Sequence, residues 1–226
     1  MPATIPQYFE LIFIAVTAAT GLFFLQANKY FKAVSIIMIL WLVLQTFLAE
    51  KGFYTKTSGI PPRLAIAVIP PIIFILACFL TPAGRRYMDT LNPRILTWLH
   101  VVRIPVELIL YTLMTHHLVS VLMTFEGRNF DIISGITAPF IAYFGYHKKR
   151  LSKTVLLIWN FLCLMLLVNV VYYGILSAPS EIQKYSFDQP NVAVLYFPFI
   201  WLPSFIVPLV LFSHLVCIRE IIKRKS

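Results

Sequence analysis

Two residues of opposite charge, Arg103 and Glu107, lie four positions apart inside a long apolar run. Side chains at positions i and i+4 of a helix meet on one face, so this spacing predicts an ion pair. Charged groups at membrane depth are costly and usually paired, and they mark functional sites by default. In such a pair Arg103 can hold an anion and Glu107 can bind and release a proton. A purely structural role is the alternative, because polar side chains routinely join membrane helices through hydrogen bonds.

Three further polar side chains are predicted at a similar depth. His100 shares the helical stripe of Arg103 and Glu107. Asn160 and His214 belong to two other apolar runs, and a rise of about 1.5 Å per residue places them in the same third of the membrane. We therefore predict one substrate-binding layer of His100, Arg103, Asn160 and His214, with Glu107 just beyond it.

A secondary polar cluster is predicted at the opposite membrane surface. His116 and His117 end the apolar run that carries the charged pair. The loop that follows contributes Glu126, Arg128 and Asp131 to the same surface. Asn129 or Asp131 is expected to cap the helix that follows, so part of this cluster has an ordinary structural explanation.

The sequence leaves the cofactor open. A zinc site needs about three protein ligands, and only His100 and His214 lie at a suitable depth unless Asp89 or Glu107 completes the set. We therefore predict no metal site. The two histidines are also an alternative axial pair for a haem. The chain contains no Walker motif, no GxSxG elbow and no HExxH motif, which removes the reactions that those motifs support.

The composition is that of an integral membrane protein. Of the 226 residues, 59% are hydrophobic and 12% are charged, whereas a soluble domain has about 25% charged residues. The apolar residues fall in runs that suit membrane helices of roughly 20 residues. A net charge of +10 can indicate nucleic-acid binding, but here the basic residues gather at the predicted helix ends, where they orient membrane helices. We predict the lipid bilayer as a partner and no nucleic acid.

We predict an all-α fold, a bundle of seven transmembrane helices in a single domain over residues 1–226. The predicted spans are 8–27, 33–49, 64–80, 99–121, 131–146, 155–177 and 195–217. Asn92 and Pro93 supply an N-cap and a first-turn proline for the fourth helix, and Pro105 should kink it. The fifth span is short and contains Gly135 and Pro139, so it is either a short helix or a broken one.

The basic residues also predict the orientation. Most of the 19 Lys and Arg residues fall in the first, third and fifth loops and in the C-terminal tail. The side richer in Lys and Arg is normally cytoplasmic, which puts the N-terminus outside and the C-terminus inside. A six-span reading without the short fifth helix would place either the basic loop at 147–153 or the basic tail on the wrong side.

Three short stretches resemble a known group of sequences. They are MTFEGRNFDI from Met123, LIWNFL from Leu157 and FPFIWLP from Phe197. They resemble an uncharacterised group of small bacterial inner-membrane proteins, and the resemblance covers roughly Leu99 to Glu220. It implies seven spans and a bacterial cytoplasmic membrane, and it implies no activity.

Three functions follow as hypotheses. The first is the handling of a small solute or ion through the layer around Arg103 and Glu107. The second is a membrane-embedded enzyme that acts on a lipid-like substrate, with or without a metal or haem. The third is a subunit of a larger membrane complex. The sequence does not distinguish these hypotheses, and it does not indicate the oligomeric state.

Overall fold

The computed structural model describes residues 5–223, and all regular structure within them is helical. The all-α prediction is therefore confirmed. Arg224 and Lys225 of the basic tail, which entered the orientation prediction, lie outside the described residues.

The helices follow one another with short connections. In chain order they are α1 (Gln7–Gln26), α2 (Phe31–Glu50), α3 (Ala65–Leu80), α4 (Pro82–Met88), α5 (Pro93–Leu99), α6 (Arg103–Thr115), α7 (Ile132–Phe140), α8 (Lys153–Leu176) and α9 (Val207–Lys223). Short 3-10 turns lie at His100–Val102, Val121–Met123 and Ala193–Leu195, and π-helical segments lie at Ile141–His147 and Leu202–Ile206.

Several of these segments are long and apolar enough to cross a membrane. Among the described residues there are five, or six if the bent pair of α3 and α4 is counted as one span. The chain is thus an integral membrane protein by the length and composition of its helices. The predicted fifth span corresponds to α7 and the π-helix after it, and this shorter run is not among the six. Its crossing of the membrane stays a prediction.

Two predicted spans, 99–121 and 195–217, have different boundaries in the structure. The first is a helical run from Pro93 to Thr115. A 3-10 turn at His100–Val102, just before Pro105, interrupts this run. A proline ring crowds the carbonyl four residues earlier, which accounts for the irregular turn. The second run begins only at Leu202 and continues to Lys223. The residues before it form turns, including the 3-10 turn at Ala193–Leu195.

The start of the helical run at Pro93 follows the sequence prediction. Asn92 Oδ1 accepts hydrogen bonds from the backbone N–H of Arg94 at 3.0 Å and of Ile95 at 3.4 Å. Pro93 occupies the first helical position, where its missing N–H would have no partner in any case. This run carries Arg103 into the bundle.

The chain turns by 96° between α3 and α4. Thr81 is extended at this point, and its Oγ1 accepts a hydrogen bond from Gly84 N at 3.0 Å. A side chain at Gly84 would meet the backbone of Cys78, so only glycine allows this close turn. The short α4 leads to Asp89, which pairs with Arg219 and Lys223 of α9.

The central elements of the bundle are α9 and the run from α5 to α6, which are the most buried of the long segments. Helix α9 packs on both α5 and α8, and α1 packs on α5. Helix α2 lies at the periphery, where Met38, Gln45 and Ala49 are its buried residues. The remaining apolar surface of α2 suits contact with lipid.

Helix α7 approaches the 3-10 turn before α6 very closely. A Cβ atom at Gly135 would lie 2.8 Å from Ile104 Cγ1, 3.1 Å from the Ile104 backbone nitrogen and 3.3 Å from the His100 carbonyl oxygen. Two of these neighbours are backbone atoms, so they cannot rotate away. Glycine at this position therefore sets the distance between α7 and the helix that carries Arg103.

We expect Gly135→Ala to lower the free energy of unfolding by about 1–3 kcal/mol, the usual effect of overpacking. The matched control is Gly21→Ala in α1, where the nearest atom to a new Cβ is the flexible end of Met38 at 3.3 Å. Thermal unfolding in detergent compares the two variants. Equal stability of both would contradict the close contact of α7 and α6.

Candidate functional site

Arg103 lies at the first position of α6 and is 3% exposed. Its Nε donates a hydrogen bond to Asp131 Oδ2 at 2.6 Å, and Nη2 donates to Asp131 Oδ1. Nη2 also donates to the Cys163 carbonyl oxygen at 3.2 Å. This two-pronged contact is the strong geometry of an Arg–carboxylate pair.

The ion pair predicted between Arg103 and Glu107 is therefore not formed. Asp131, which the sequence assigned to the outer cluster, takes the place of Glu107. Asp131 directly precedes α7, and the close packing of α7 on the start of α6 brings its carboxylate to the guanidinium. A long arginine side chain can reach across to a neighbouring helix, so spacing along its own helix does not decide its partner.

His214 and Asn160 extend the network from α9 and α8. Arg103 Nη1 lies 3.0 Å from His214 Nε2, and His214 Nδ1 lies 3.0 Å from Asn160 Oδ1. Arginine can only donate, so His214 Nε2 accepts and the proton of the imidazole sits on Nδ1. Asn160 Nδ2 in turn donates to the Leu156 carbonyl oxygen at 2.9 Å. Each member is buried and has a partner.

His100 joins this group through its ring face. Its ring stacks on that of His214 with centroids 3.8 Å apart and planes 17° apart, and Trp159 lies edge-on at 5.7 Å. Both ring nitrogens of His100 are buried without a hydrogen-bond partner. Two histidines that bind one haem iron must each point a nitrogen at it, and face-to-face stacking does not do so. The alternative of an axial pair is thus wrong.

Glu107 connects to the network through Asn129. Glu107 Oε2 accepts a hydrogen bond from Asn129 Nδ2 at 2.5 Å, and Asn129 Oδ1 accepts one from Asp131 N at 2.9 Å. The other carboxyl oxygen, Oε1, is buried and makes no hydrogen bond of normal geometry, although the Phe125 backbone lies nearby. The sequence predicts Asn129 only as a possible cap of the next helix. Its closeness to a helix start and to Asp131 was the signal available.

A cavity of about 100 Å³ lies beside Glu107, between α6, α8 and the segment that leads into α9. Arg103, Glu107, Asn129 and Asp131 line its polar part, and the other walls are almost entirely apolar. A single water needs roughly 10–15 Å³ of such cavity volume, so there is space for a small organic group or several waters. The unpaired Oε1 of Glu107 belongs to a residue of this wall.

The predicted outer cluster does not converge. His117 Nδ1 contacts Gln189 Oε1 at 3.0 Å, whereas His116 Nδ1 contacts a carbonyl oxygen of its own helix. Arg128 donates to the Tyr173 hydroxyl at 2.7 Å. Glu126 is exposed. These four side chains do not meet at one site, and Asp131 belongs to the buried network.

Within residues 5–223, no three His, Cys, Asp or Glu side chains come together in a way that could hold a metal ion. The three cysteines, Cys78, Cys163 and Cys217, are buried, and none of them forms a disulfide.

We expect Arg103→Met to lower the free energy of unfolding by about 3–5 kcal/mol, because it leaves the Asp131 carboxylate buried and unpaired. Adding Asp131→Leu should restore much of the loss, since the double variant buries no lone charge. Denaturant unfolding in detergent measures both. The control is Asp89→Asn, which removes the surface contacts of Asp89 with Arg219 and Lys223 and should cost about 0–1 kcal/mol. A double variant as unstable as Arg103→Met would contradict this account of the pair.

Comparison with known proteins relates this chain to one protein family. No curated protein and no solved structure matches the chain. A family model does match residues 61–222, a range that includes every residue of the network around Arg103 and excludes α1 and α2. Because this match covers most of the chain, the protein belongs to the family described as Domain of unknown function (DUF8737).

Proposed function

We propose that this integral membrane protein binds and handles a small solute in the cavity beside Glu107. The unpaired Oε1 of Glu107 carries the proposal, because a buried carboxyl oxygen without a partner is costly unless a ligand or water satisfies it. The polar group of the solute would be a hydrogen-bond donor such as an ammonium or hydroxyl group. The apolar walls would accommodate a short hydrocarbon body.

Glu107 is a better candidate than Arg103 for direct work on a solute or proton. The guanidinium of Arg103 is already engaged by Asp131, His214 and the Cys163 carbonyl. An anion would have to displace these contacts. The carboxyl group of Glu107 has one engaged oxygen and one free oxygen, so it can accept a donor or cycle a proton without breaking the network. Arg103 and Asp131 then hold Asn129 and Glu107 in place.

The second candidate is a membrane-embedded enzyme with a lipid-like substrate. The apolar lining favours it, since walls from α6 and α8 surround a polar end that contains a carboxyl group. A carboxyl group in this position can act as a general acid or base. Turnover of a bound lipid would separate this candidate from simple solute handling.

We further propose seven spans in a bacterial cytoplasmic membrane, with the N-terminus outside and the C-terminus in the cytoplasm. The run from Ile132 to His147 would be the additional span. It carries exposed apolar side chains suited to lipid, namely Ile133, Ile136, Phe140 and Phe144. Its two helical segments total 16 residues, which is somewhat shorter than an ordinary span of about 20 residues.

We expect Glu107→Gln to weaken binding of a co-purifying small molecule by about 10- to 100-fold, the equivalent of a lost hydrogen bond to a charged group of about 1.5–3 kcal/mol. Native mass spectrometry of the gently extracted protein measures the bound mass. The control is Glu126→Gln, an equal change at an exposed position.

The test compares the mass bound to the wild-type protein with the mass bound to each of the two variants. A bound mass in the wild type and in Glu126→Gln, lost only in Glu107→Gln, supports the cavity as the binding site. Equal retention by both variants, or an empty wild-type protein, counts against it. Thermal unfolding of each variant shows that the comparison is made between folded proteins.

The proposed orientation predicts which loops are accessible. In intact cells with a permeabilised outer membrane, a membrane-impermeant thiol reagent should label Glu126→Cys and leave Lys149→Cys unlabelled. The three native cysteines are buried, so they serve as an internal background. Lys149→Cys should become labelled only after the inner membrane is opened. The reverse pattern would overturn the orientation, and labelling of both positions on one side would overturn the seven spans.

A further inference from the structure

A second and larger cleft lies on the other side of α9. Its volume is about 570 Å³, and it opens between α2 on one side and α3 with α4 on the other. Aromatic and aliphatic side chains line it, including Trp41, Phe74 and Phe212. None of the residues of the Arg103 network takes part in its lining. The cleft is thus separate from the cavity beside Glu107.

The cleft lies between two places where α2 is attached to the bundle, one near its start and one near its middle. Near the start of α2, Asn28 Nδ2 donates to the Tyr87 hydroxyl at 2.5 Å. Further along, Trp41 Nε1 donates to the Ser204 carbonyl oxygen at 2.9 Å. Between these contacts the cleft separates α2 from α3, and Met38 is the buried side chain of this stretch.

The length of the cleft matches one leaflet of a membrane. Its lining on α2 runs from Tyr30, just before the helix, to Trp41. At about 1.5 Å per residue this stretch is roughly 17 Å long. Half of a hydrocarbon core of about 30 Å is about 15 Å. An acyl chain of one leaflet therefore fits along the cleft.

The mouth of the cleft is basic. Tyr30 lies between Lys29 and Lys32, and Arg85 and Arg86 lie on α4 among lining residues of the same end. All four basic side chains are exposed. The rings of Tyr30 and Tyr87 are 6.3 Å apart, which brings the two basic segments to one place. Residues 27–34 and 81–88 contain no acidic side chain. The next residue, Asp89, is paired with Arg219 and Lys223, so its carboxylate is engaged by other basic groups.

We propose that the cleft between α2 and α3–α4 holds an acyl chain of an anionic phospholipid, whose head group is bound by Lys29, Lys32, Arg85 and Arg86. The apolar walls replace the lipid contacts of the chain. The basic mouth selects the negative head group, because each Lys or Arg near a membrane surface contributes to the attraction of anionic lipid. Such a lipid would fill the gap behind α2 and hold this peripheral helix against the bundle.

The test compares retention of phosphatidylglycerol with that of phosphatidylcholine, using protein from nanodiscs that contain equal amounts of both. Native mass spectrometry counts the lipids that stay bound after ejection from the nanodisc. We expect the wild-type protein to retain phosphatidylglycerol preferentially. The double variant Lys32→Glu/Arg86→Glu should lose this preference by about tenfold or more.

A matched control separates the cleft from general attraction to a basic surface. Lys148→Glu/Arg150→Glu changes the same number of exposed basic side chains in another loop, away from the cleft. It should keep the preference for phosphatidylglycerol. Equal loss in both double variants would overturn the proposal, because it would show an attraction without a site.

Two variants on α2 test the proposed binding of the acyl chain in the cleft. Ile37 lines the cleft and Ile36 does not, and both are largely exposed, at 66% and 58%. Ile37→Trp should reduce the number of retained lipids, whereas Ile36→Trp should not. Equal retention in both, or equal retention of the two lipids by the wild type, would overturn the proposal. Thermal unfolding confirms that each variant tested is folded.

Discussion

The buried ion pair of Arg103 and Asp131 constrains this protein more than any other contact. Removing two charges from water costs several kcal/mol for each, and their attraction offsets this only with good geometry and additional hydrogen bonds. The guanidinium meets both requirements, because it contacts both carboxylate oxygens, His214 and the Cys163 carbonyl. These partners lie on α8, α9 and the start of α7. Four helical elements are thus held in register by one arginine, and a shift of any of them would leave a charge or a polar atom unpaired.

The same constraint places the candidate binding group. Asp131 can reach Arg103 only because α7 packs directly on the turn before α6, with Gly135 at the contact. The residue two positions before Asp131 is Asn129, whose amide then lies against Glu107. The carboxyl group of Glu107 is therefore positioned by the ion pair without belonging to it. Arg103, Asp131, His214 and Asn160 are thus all paired. Both ring nitrogens of His100 and Oε1 of Glu107, at the cavity, make no hydrogen bond of normal geometry.

The two apolar spaces differ in a way that follows from the packing of the helices. The smaller cavity lies inside the bundle and meets buried polar groups, which suits a ligand of limited size. The larger cleft lies where α2 stands apart from α3, and exposed basic side chains surround its mouth. Helix α2 is also outside the matched family range, which starts at residue 61. A loosely packed helix beside a lipid-sized cleft is consistent with a part of the molecule that relies on the surrounding bilayer.

The sequence by itself determined the class of the protein, an all-α integral membrane protein. Long apolar runs can bury their backbone polar groups in lipid only as helices, so the all-α membrane fold followed from composition alone. The cap at Asn92 also followed, because it depends only on neighbouring residues. The tertiary structure decided which partner Arg103 takes, that Asn129 links Glu107 to Asp131, and where the last helical run begins. Asp131 is 28 positions from Arg103 and His214 is 111 positions away. Contacts over such separations depend on how the helices pack, and helical periodicity carries no information about the neighbouring helix.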